Sequence, residues 1–568
     1  MTFDTLTLRE FIKQSARRYD TRPALSFIKG GTITYRELDE KSLQLAAALR
    51  ELGIRPGDRV AIVSANMPNW GLAYFAVSRM KAVTVPILPD FPPSDMVNIL
   101  IHAGVSAVFV SRKLYPKLKR VSEKGIVIIF IEDFSLLKED ETSVPFDLKP
   151  FEEKSEKDLG IDIPKEDDVA SIIYTSGTTG QSKGVMLSHR NLVFDALATS
   201  PIPGIKPGDT LISILPLSHT YECTIGMIIP LMLGAHVHYL DRPPAPSVLL
   251  PALKEIRPSL MLSVPLLIEK IYRQSILPLL NKKAAVKFLY RIPPFRKMLN
   301  RIAGKKLMKI FGGRLYFFGI GGAALAPDVE KFLREAQFPY AIGYGLTETS
   351  PLIAGCSPSQ TRYTSTGTII PGVVVKLGDL DPVTGEGEIL VKGPNVMIGY
   401  YRDEKKSAEA FTEDGWFRTG DLGVFDKDGF LYIKGRSKNM ILGPSGENIY
   451  PESIEAVINQ FDFVTDSLVF EEEGKIFARV HVDYDQIKEA FSHLADSAGD
   501  ISHHVGEYLN ELKIMANKRL SSFSKLHDLL EQHEPFEKTP TQKIKRYLYS
   551  GKTKRHNKGN EKEDGEKH

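Results

Sequence analysis

Residues 174–184 read YTSGTTGQSKG, and they follow the apolar run Val169–Ala170–Ser171–Ile172–Ile173. A buried strand therefore opens into a loop of Gly, Ser and Thr that closes on a Lys. Such a loop offers backbone N–H groups, hydroxyls and one ammonium, a donor set suited to polyphosphate. It is not the Walker A pattern: counting from Gly177, Ser182 stands where that motif needs Gly before Lys183. A nucleotide loop is expected, of a kind other than that of the common kinases and ATPases.

The surrounding chain is of the α/β class. Strand-like runs at 60–63, 82–87, 105–111 and 126–131 alternate with helical spacing at 69–80 and 94–104. This is a βαβ array, which implies a parallel sheet covered on both faces. A second array is expected from about 169 to 345, with a strand at Leu315–Phe318 and a helix from Pro327 to about Gln337. Short strands between Gly- and Pro-rich turns at 364–434 suggest a small β-barrel-like subdomain. After Gly435 the pattern changes to a small α+β domain, with a helix from Pro451 and a long polar helix near 501–520. The expected domains are 1–434, 435–550 and a charged, disordered tail at 551–568, which cannot build a core.

Composition limits the function. The 568 residues carry a net charge of +3, 42% hydrophobic and 25% charged residues, a balance that fits a soluble globular chain. Two cysteines, Cys223 and Cys356, cannot make a disulfide framework and fit a reducing compartment. The start, MTFDTLTLRE, shows no apolar signal segment, so a cytoplasmic protein is expected. The longest apolar stretch, Thr224 to Val237, is too short to span a membrane and reads as a buried helix.

Five further motifs stand in order: LPLSHTYE (215–222), GYGLTETS (343–350), GWFRTGDLG (415–423), GRSKNMI (435–441) and TPTQKIKR (539–546). Together with YTSGTTGQSKG they resemble the adenylate-forming enzymes, in the long-chain acyl-CoA synthetase branch, over residues 8 to 550. The resemblance implies a large N-terminal domain of two parallel-sheet subdomains and a small mobile C-terminal domain. It implies a reaction in two halves. A carboxylate attacks the α-phosphorus of ATP and expels pyrophosphate; a thiol, usually that of coenzyme A, then displaces AMP. The first half joins an anion to a polyanion, so it needs cationic neutralisation and positioning more than a base.

By the same resemblance, Thr175, Ser176, Gly177, Thr178, Thr179, Gly180 and Lys183 would wrap the phosphates. Glu348 would hold Mg²⁺, a hard cation, with Thr178 near it. Thr347 would donate to the α-phosphate. Tyr344 would stack on adenine beside Gly345, and Gly321, Gly322 and Ala323 would line adenine and the acyl chain. Asp421 would accept both ribose hydroxyls, as suits an acceptor-only group, with Arg436 adding a contact. His219 would line the acyl site and position the substrate. Lys438 occupies the hinge position, where other branches carry Asp. Gly443, Gly446 and Glu447 form a loop on the CoA side. Lys543 would stabilise charge developing between the carboxylate and the α-phosphate, although Gln542 replaces a Gly common in the family and resists positive φ.

Other readings have less support. GIGGAALAP (319–327) matches G-x-G-x-x-A, but the following helix begins late for a dinucleotide fold. His236 and His238 share a strand face without a third ligand at metal spacing. Residues 270–314 hold thirteen Lys or Arg and no Asp or Glu, interleaved with apolar groups. That surface would meet anionic lipid at the inner membrane, with an acidic acyl carrier protein as the rival partner. The expected function is a fatty acid:CoA ligase. The alternatives are an acyl-[acyl-carrier-protein] synthetase and a non-catalytic nucleotide-binding regulator. No nucleic-acid partner is expected.

Overall fold

The computed structural model describes residues 3–119, 125–176, 182–281, 284–443, 447–491, 498–539 and 543–549. The expected tail at 551–568 lies outside them, as do Gly177, Thr178, Thr179, Gly180, Gly446 and Gln542 and the side chain of Ser176. The chain divides into two compact units, Met1–Ser437 and Lys438–His568.

Two large sheets organise the first unit. One runs, in spatial order, Gly399–Tyr400, Ser182–Ser188, Val169–Ser176, Val83–Ile87, Arg59–Val63, Val105–Val110 and Val127–Phe130, ending in Ser135–Leu137 and Ser143–Pro145. Its five central strands are parallel. The other runs Tyr340–Ile342, Phe317–Ile320, Leu260–Ser263, Thr210–Ser213, His236–Tyr239 and Pro23–Phe27, all parallel, with Thr32–Thr34 antiparallel at the edge. Alternate residues separate the two faces of each sheet. Val60, Ile62 and Phe109 share one core with Leu25, Leu211 and Val237, while Ala61, Val63 and Val108 face a second core and Ile212, Met261 and Phe318 a third. The shared core also holds the buried sides of helices Leu8–Tyr19, Tyr35–Glu51, Pro68–Arg79 and His189–Thr199, which form a layer between the sheets. Burial on both faces is why these strands read as continuous apolar runs.

Three expectations need correction. The strand at 169 belongs to the first sheet: Ser171 pairs with Thr84. The second sheet instead recruits Pro23–Phe27 from near the N-terminus. The apolar stretch 224–237 is a π-helix, Tyr221–Ile228, then a short α-helix, Ile229–Met232, and the start of strand His236–Tyr239; Gly234, at φ +80°, makes the turn between them. The strand expected at Leu315–Phe318 lies at Phe317–Ile320. No helix among the described residues is long and apolar enough to cross a membrane.

Downstream, short antiparallel strands form a four-stranded sheet, Val374–Gly378, Gly387–Lys392, Phe417–Phe425 and Leu431–Arg436, and a three-stranded one, Tyr344–Gly345, Leu352–Gly355 and Thr368–Ile369. The second unit packs helices Pro451–Ile458 and Ala498–Asn517 on the sheet Val464–Glu472, Lys475–Val482 and Asp528–Glu531.

Glu156 ties the helical layer together. Its carboxylate takes Nε of Arg9 at 3.0 Å, Nζ of Lys13 at 3.2 Å and NH2 of Arg79 at 3.0 Å. Burial opposes its charge, but Arg9, Arg79 and Lys13 outweigh that and pull the carboxyl down to about 2. A carboxylate depressed in the folded state lends stability that is complete above its unfolded pKa, about 4.3, and is lost as pH falls through the folded value. Glu156→Gln removes one of the two carboxylates on the buried Arg79, the other being Asp39 at 2.8 Å, and should cost about 1.5–3 kcal/mol at neutral pH. Urea titrations between pH 7 and pH 3 should show the difference from wild type shrinking as pH falls; a constant difference would mean the charge is irrelevant.

Candidate active site

The two arms that flank the loop's glycines and threonines are paired antiparallel strands. Ser182 faces Ser176 and Lys183 faces Thr175 across the Val169–Ser176 and Ser182–Ser188 strands. The hairpin thus sets the two ends of the loop side by side. Strand Gly399–Tyr400 adds to its outer edge, with Tyr400 opposite Val185. Tyr400 stands between two of the expected site residues and was missed by the sequence reading. The Lys183 ammonium lies 4.8 Å from its ring centroid, and its hydroxyl donates to Glu348 Oε1 at 3.0 Å. Tyr400 therefore joins the loop's cation to the acid expected to hold magnesium. Burial, reinforced by the Glu348 charge, raises its hydroxyl well above the usual range, so it remains a donor.

Glu348 sits in the one-turn helix Thr347–Thr349, half-buried like Thr347. The turn before it demands glycine: a Cβ on Gly345 would lie 1.8 Å from the Pro351 carbonyl oxygen. The Glu348 carbonyl accepts from Met397 N at 2.8 Å, which fixes the turn against the 393–397 loop.

A second cluster forms around Asp421. Strands Phe417–Phe425 and Leu431–Arg436 place Asp421 directly opposite Arg436. Arg436 Nε lies 2.8 Å from Asp421 Oδ1, and the Tyr344 hydroxyl donates to Oδ2 at 2.7 Å. Arg436 also donates to the Thr419 carbonyl at 3.2 Å. Burial, and then the Asp421 charge, raise the Tyr344 hydroxyl far above its ordinary value. A nearly buried carboxylate held on both oxygens is an oriented acceptor, as diol recognition requires.

The glycine strand Phe317–Ile320 and its extension face Tyr221. A Cβ on Gly321 would stand 3.1 Å from the Tyr221 ring, and one on Gly319 would stand 3.2 Å from its hydroxyl. Gly322, at φ +86°, and Ala323 are exposed beyond it. Tyr221 opens the π-helix two residues after His219, which is half-buried. The next residue, Glu222, is wholly buried, and burial pushes its carboxyl up to about 8. It stood in a quoted motif, but nothing in the motif marks it as buried. His236 and His238 both contact Ser26 Oγ, at 2.9 and 3.1 Å, with rings 3.9 Å apart; burial drives them down to about 3 and about 4. No group of three metal-ligating side chains occurs among the described residues.

The AMP-binding enzyme family model matches residues 12–401. The chain belongs to the AMP-binding enzyme family. Long chain acyl-CoA synthetase 6, peroxisomal, of Arabidopsis thaliana is 32% identical over 83% of this chain and 71% of its own. Long-chain-fatty-acid--CoA ligase 1 of Homo sapiens is 29% identical over 84% and 73%. ATP-bound MatB from Rhodopseudomonas palustris superposes with a TM-score of 0.73 at 23% identity, covering 95% of this chain and 98% of that one; this likeness concerns the fold. The AMP-binding enzyme thus has its 169–188 hairpin strands, its Glu348 turn and its Asp421 corner in one unit.

The remaining expected residues lie in the second unit. Lys438 is exposed in the turn Ser437–Asn439, where the two units divide. Gly443 N donates to the Glu447 carbonyl at 2.8 Å, closing the loop on the expected CoA side. Lys543 is exposed; Thr539 N donates to its carbonyl at 2.7 Å, and its own N–H donates to Thr539 Oγ1 at 3.2 Å. Its neighbours are engaged elsewhere: Lys545 pairs with Glu537 at 3.2 Å, and Arg546 with the buried Glu455.

Proposed function

We propose that this AMP-binding enzyme is a fatty acid:CoA ligase of the long-chain class. The observation that carries the reading is the meeting of Lys183, Tyr400 and Glu348 beneath the phosphate hairpin. A cation and an acid joined by one hydroxyl suit a reaction that must neutralise polyphosphate and hold a divalent ion. The names of the relatives support a long-chain fatty acid as substrate. In the first half, Lys183 and the hairpin hold the departing pyrophosphate, Thr347 orients the α-phosphate, and Asp421 fixes the ribose. Tyr344 lies against the adenine and His219 against the acyl chain. Glu348, a hard oxygen donor, would hold Mg²⁺, whose charge would add to that neutralisation; its expected companion Thr178 is outside the described residues. In the second half the thiol attacks the acyl carbon and AMP leaves.

The test is acid-dependent pyrophosphate release across a fatty-acid series, with CoA and acyl carrier protein each offered as acceptor. Thioester on CoA supports the reading. Thioester on carrier protein alone replaces the acceptor, and nucleotide binding without pyrophosphate release leaves a non-catalytic regulator.

The basic segment supports cytoplasmic residence with peripheral contact at an anionic membrane. Helix Pro293–Ile310 exposes Phe295, Met298 and Ile302 on one face, and helical spacing puts Lys305, Lys306 and Lys309 on the same face. Arg273 and Arg296 are instead engaged by Asp328 and Glu335. Each cation near anionic lipid contributes about 1 kcal/mol, and the exposed apolar groups add insertion. Co-sedimentation with phosphatidylserine vesicles at low salt is expected, with little on neutral vesicles and release near about 1 M salt, where the Debye length is about 3 Å. Replacing Lys305, Lys306 and Lys309 with Gln should abolish most of it and spare activity on a short, soluble acid. A wild type that ignores anionic vesicles would favour a carrier-protein surface.

A further inference from the structure

Helix His189–Thr199 sends two polar side chains, one helical turn apart, into the loops behind the candidate active site. Asn191 Nδ2 donates to the carbonyls of Pro394 at 2.7 Å and Val396 at 2.9 Å. Asp195 Oδ1 accepts from Leu352 N at 3.1 Å, and its carboxyl lies against the Asn395 carboxamide. Asn395 in turn donates to the Thr349 carbonyl at 3.0 Å and the Leu352 carbonyl at 2.8 Å, and its own carbonyl accepts from Ser350 Oγ at 2.9 Å. Ser350 sits at φ +71°. One buried lattice therefore grips residues 349, 350 and 352, directly after Thr347 and Glu348.

We propose that Asp195, with Asn395, is a positioning residue for adenylation: it clasps the 347–352 turn from behind and holds Thr347 and Glu348 at their working geometry. The proposal rests on the functional reading above. Asp195 has no other evident task. It is wholly buried, and its Oδ2 finds no hydrogen-bond partner, nor does Asn395 Oδ1. Burial pushes its carboxyl well above the ordinary range, against the pull of the Leu352 N–H and the Asn395 carboxamide. The two groups its carboxyl meets, the Leu352 N–H and the Asn395 carboxamide, carry no charge. A neutral acid at this point is matched in shape and hydrogen bonding by a carboxamide. An ionised carboxylate would be an uncompensated buried charge.

Asp195→Asn should therefore preserve the clasp, and Asp195→Ala should release it. Two readouts separate positioning from mere stability. In pyrophosphate release with saturating acid, D195A should lose about a hundredfold in kcat, the scale of a misplaced catalytic group. Its KM for ATP should change by less than about threefold, and D195N should restore kcat. In hydrogen exchange at a temperature where both variants are folded, amides 346–352 should exchange faster in D195A and at the wild-type rate in D195N. Unaltered exchange in D195A overturns the clasp. Faster exchange with wild-type kcat overturns the positioning role. D195N as damaged as D195A overturns the neutral-acid reading. If D195A does not fold, Asn395→Ser opens the same clasp from the other side. If the wild type releases no pyrophosphate, the functional reading fails, and the exchange result still decides the clasp.

Discussion

Lys543→Ala removes most acid-dependent pyrophosphate release, an expected loss of about a hundred- to a thousandfold in kcat, the range for one contact made only in the transition state. Thioester formation from synthetic acyl-adenylate and CoA stays within about threefold, because the attack at the α-phosphorus whose charge Lys543 would stabilise belongs to the first half alone. The neighbouring cations make the prediction specific. Lys545 and Arg546 share the same stretch, but each is committed to a carboxylate of its own unit, Glu537 and Glu455. Arg546 also donates to the Val469 carbonyl, at 3.2 Å. Arg546→Ala should therefore act mainly on the stability of the second unit, because it leaves the largely buried Glu455 without its cation. The assay runs once from ATP and acid and once from the adenylate. Equal losses in both arms would assign Lys543 to something other than adenylation.

Much of this was legible in the sequence, for physical reasons that differ from element to element. The strands at 59–63, 83–87 and 105–110 announced themselves because burial on both faces leaves mostly apolar, largely β-branched residues. Sheet membership was not legible. The run at 169–173 is equally apolar in either sheet, and only the Ser171–Thr84 pairing decides. The end of the helix near 232 was hidden because helix and following strand are both fully buried, which erases periodicity; Gly234 alone marks the turn. Site residues inside contiguous motifs, such as Glu348 and Asp421, could be proposed singly. Their partners could not. Tyr400 reaches Glu348 across 52 positions, and Asp195 reaches Leu352 across 157, through contacts that no local pattern encodes.

Lys438→Pro is expected to leave adenylation within about threefold and to slow thioester formation by at least about tenfold, the factor that corresponds to roughly 1.4 kcal/mol in a barrier. The chain divides between Ser437 and Lys438, and the boundary is a single turn, Ser437–Asn439. Such a turn can absorb a dihedral change without disturbing either core, as hinge positions do. We propose that the second unit pivots here between the two halves of the reaction, first to present Lys543 and then to admit the thiol. Proline fixes φ near about −65° and disfavours the helical region for Ser437 before it, so it narrows two residues at once. Lys438 is exposed, so the substitution removes no buried side chain. Lys438→Ala is the control, since it removes the ammonium and keeps the backbone free. If alanine slows thioester formation as much as proline does, the side chain matters and the hinge is elsewhere. If proline alone does so, and only in the arm that starts from adenylate, the backbone at 438 is the element that must move.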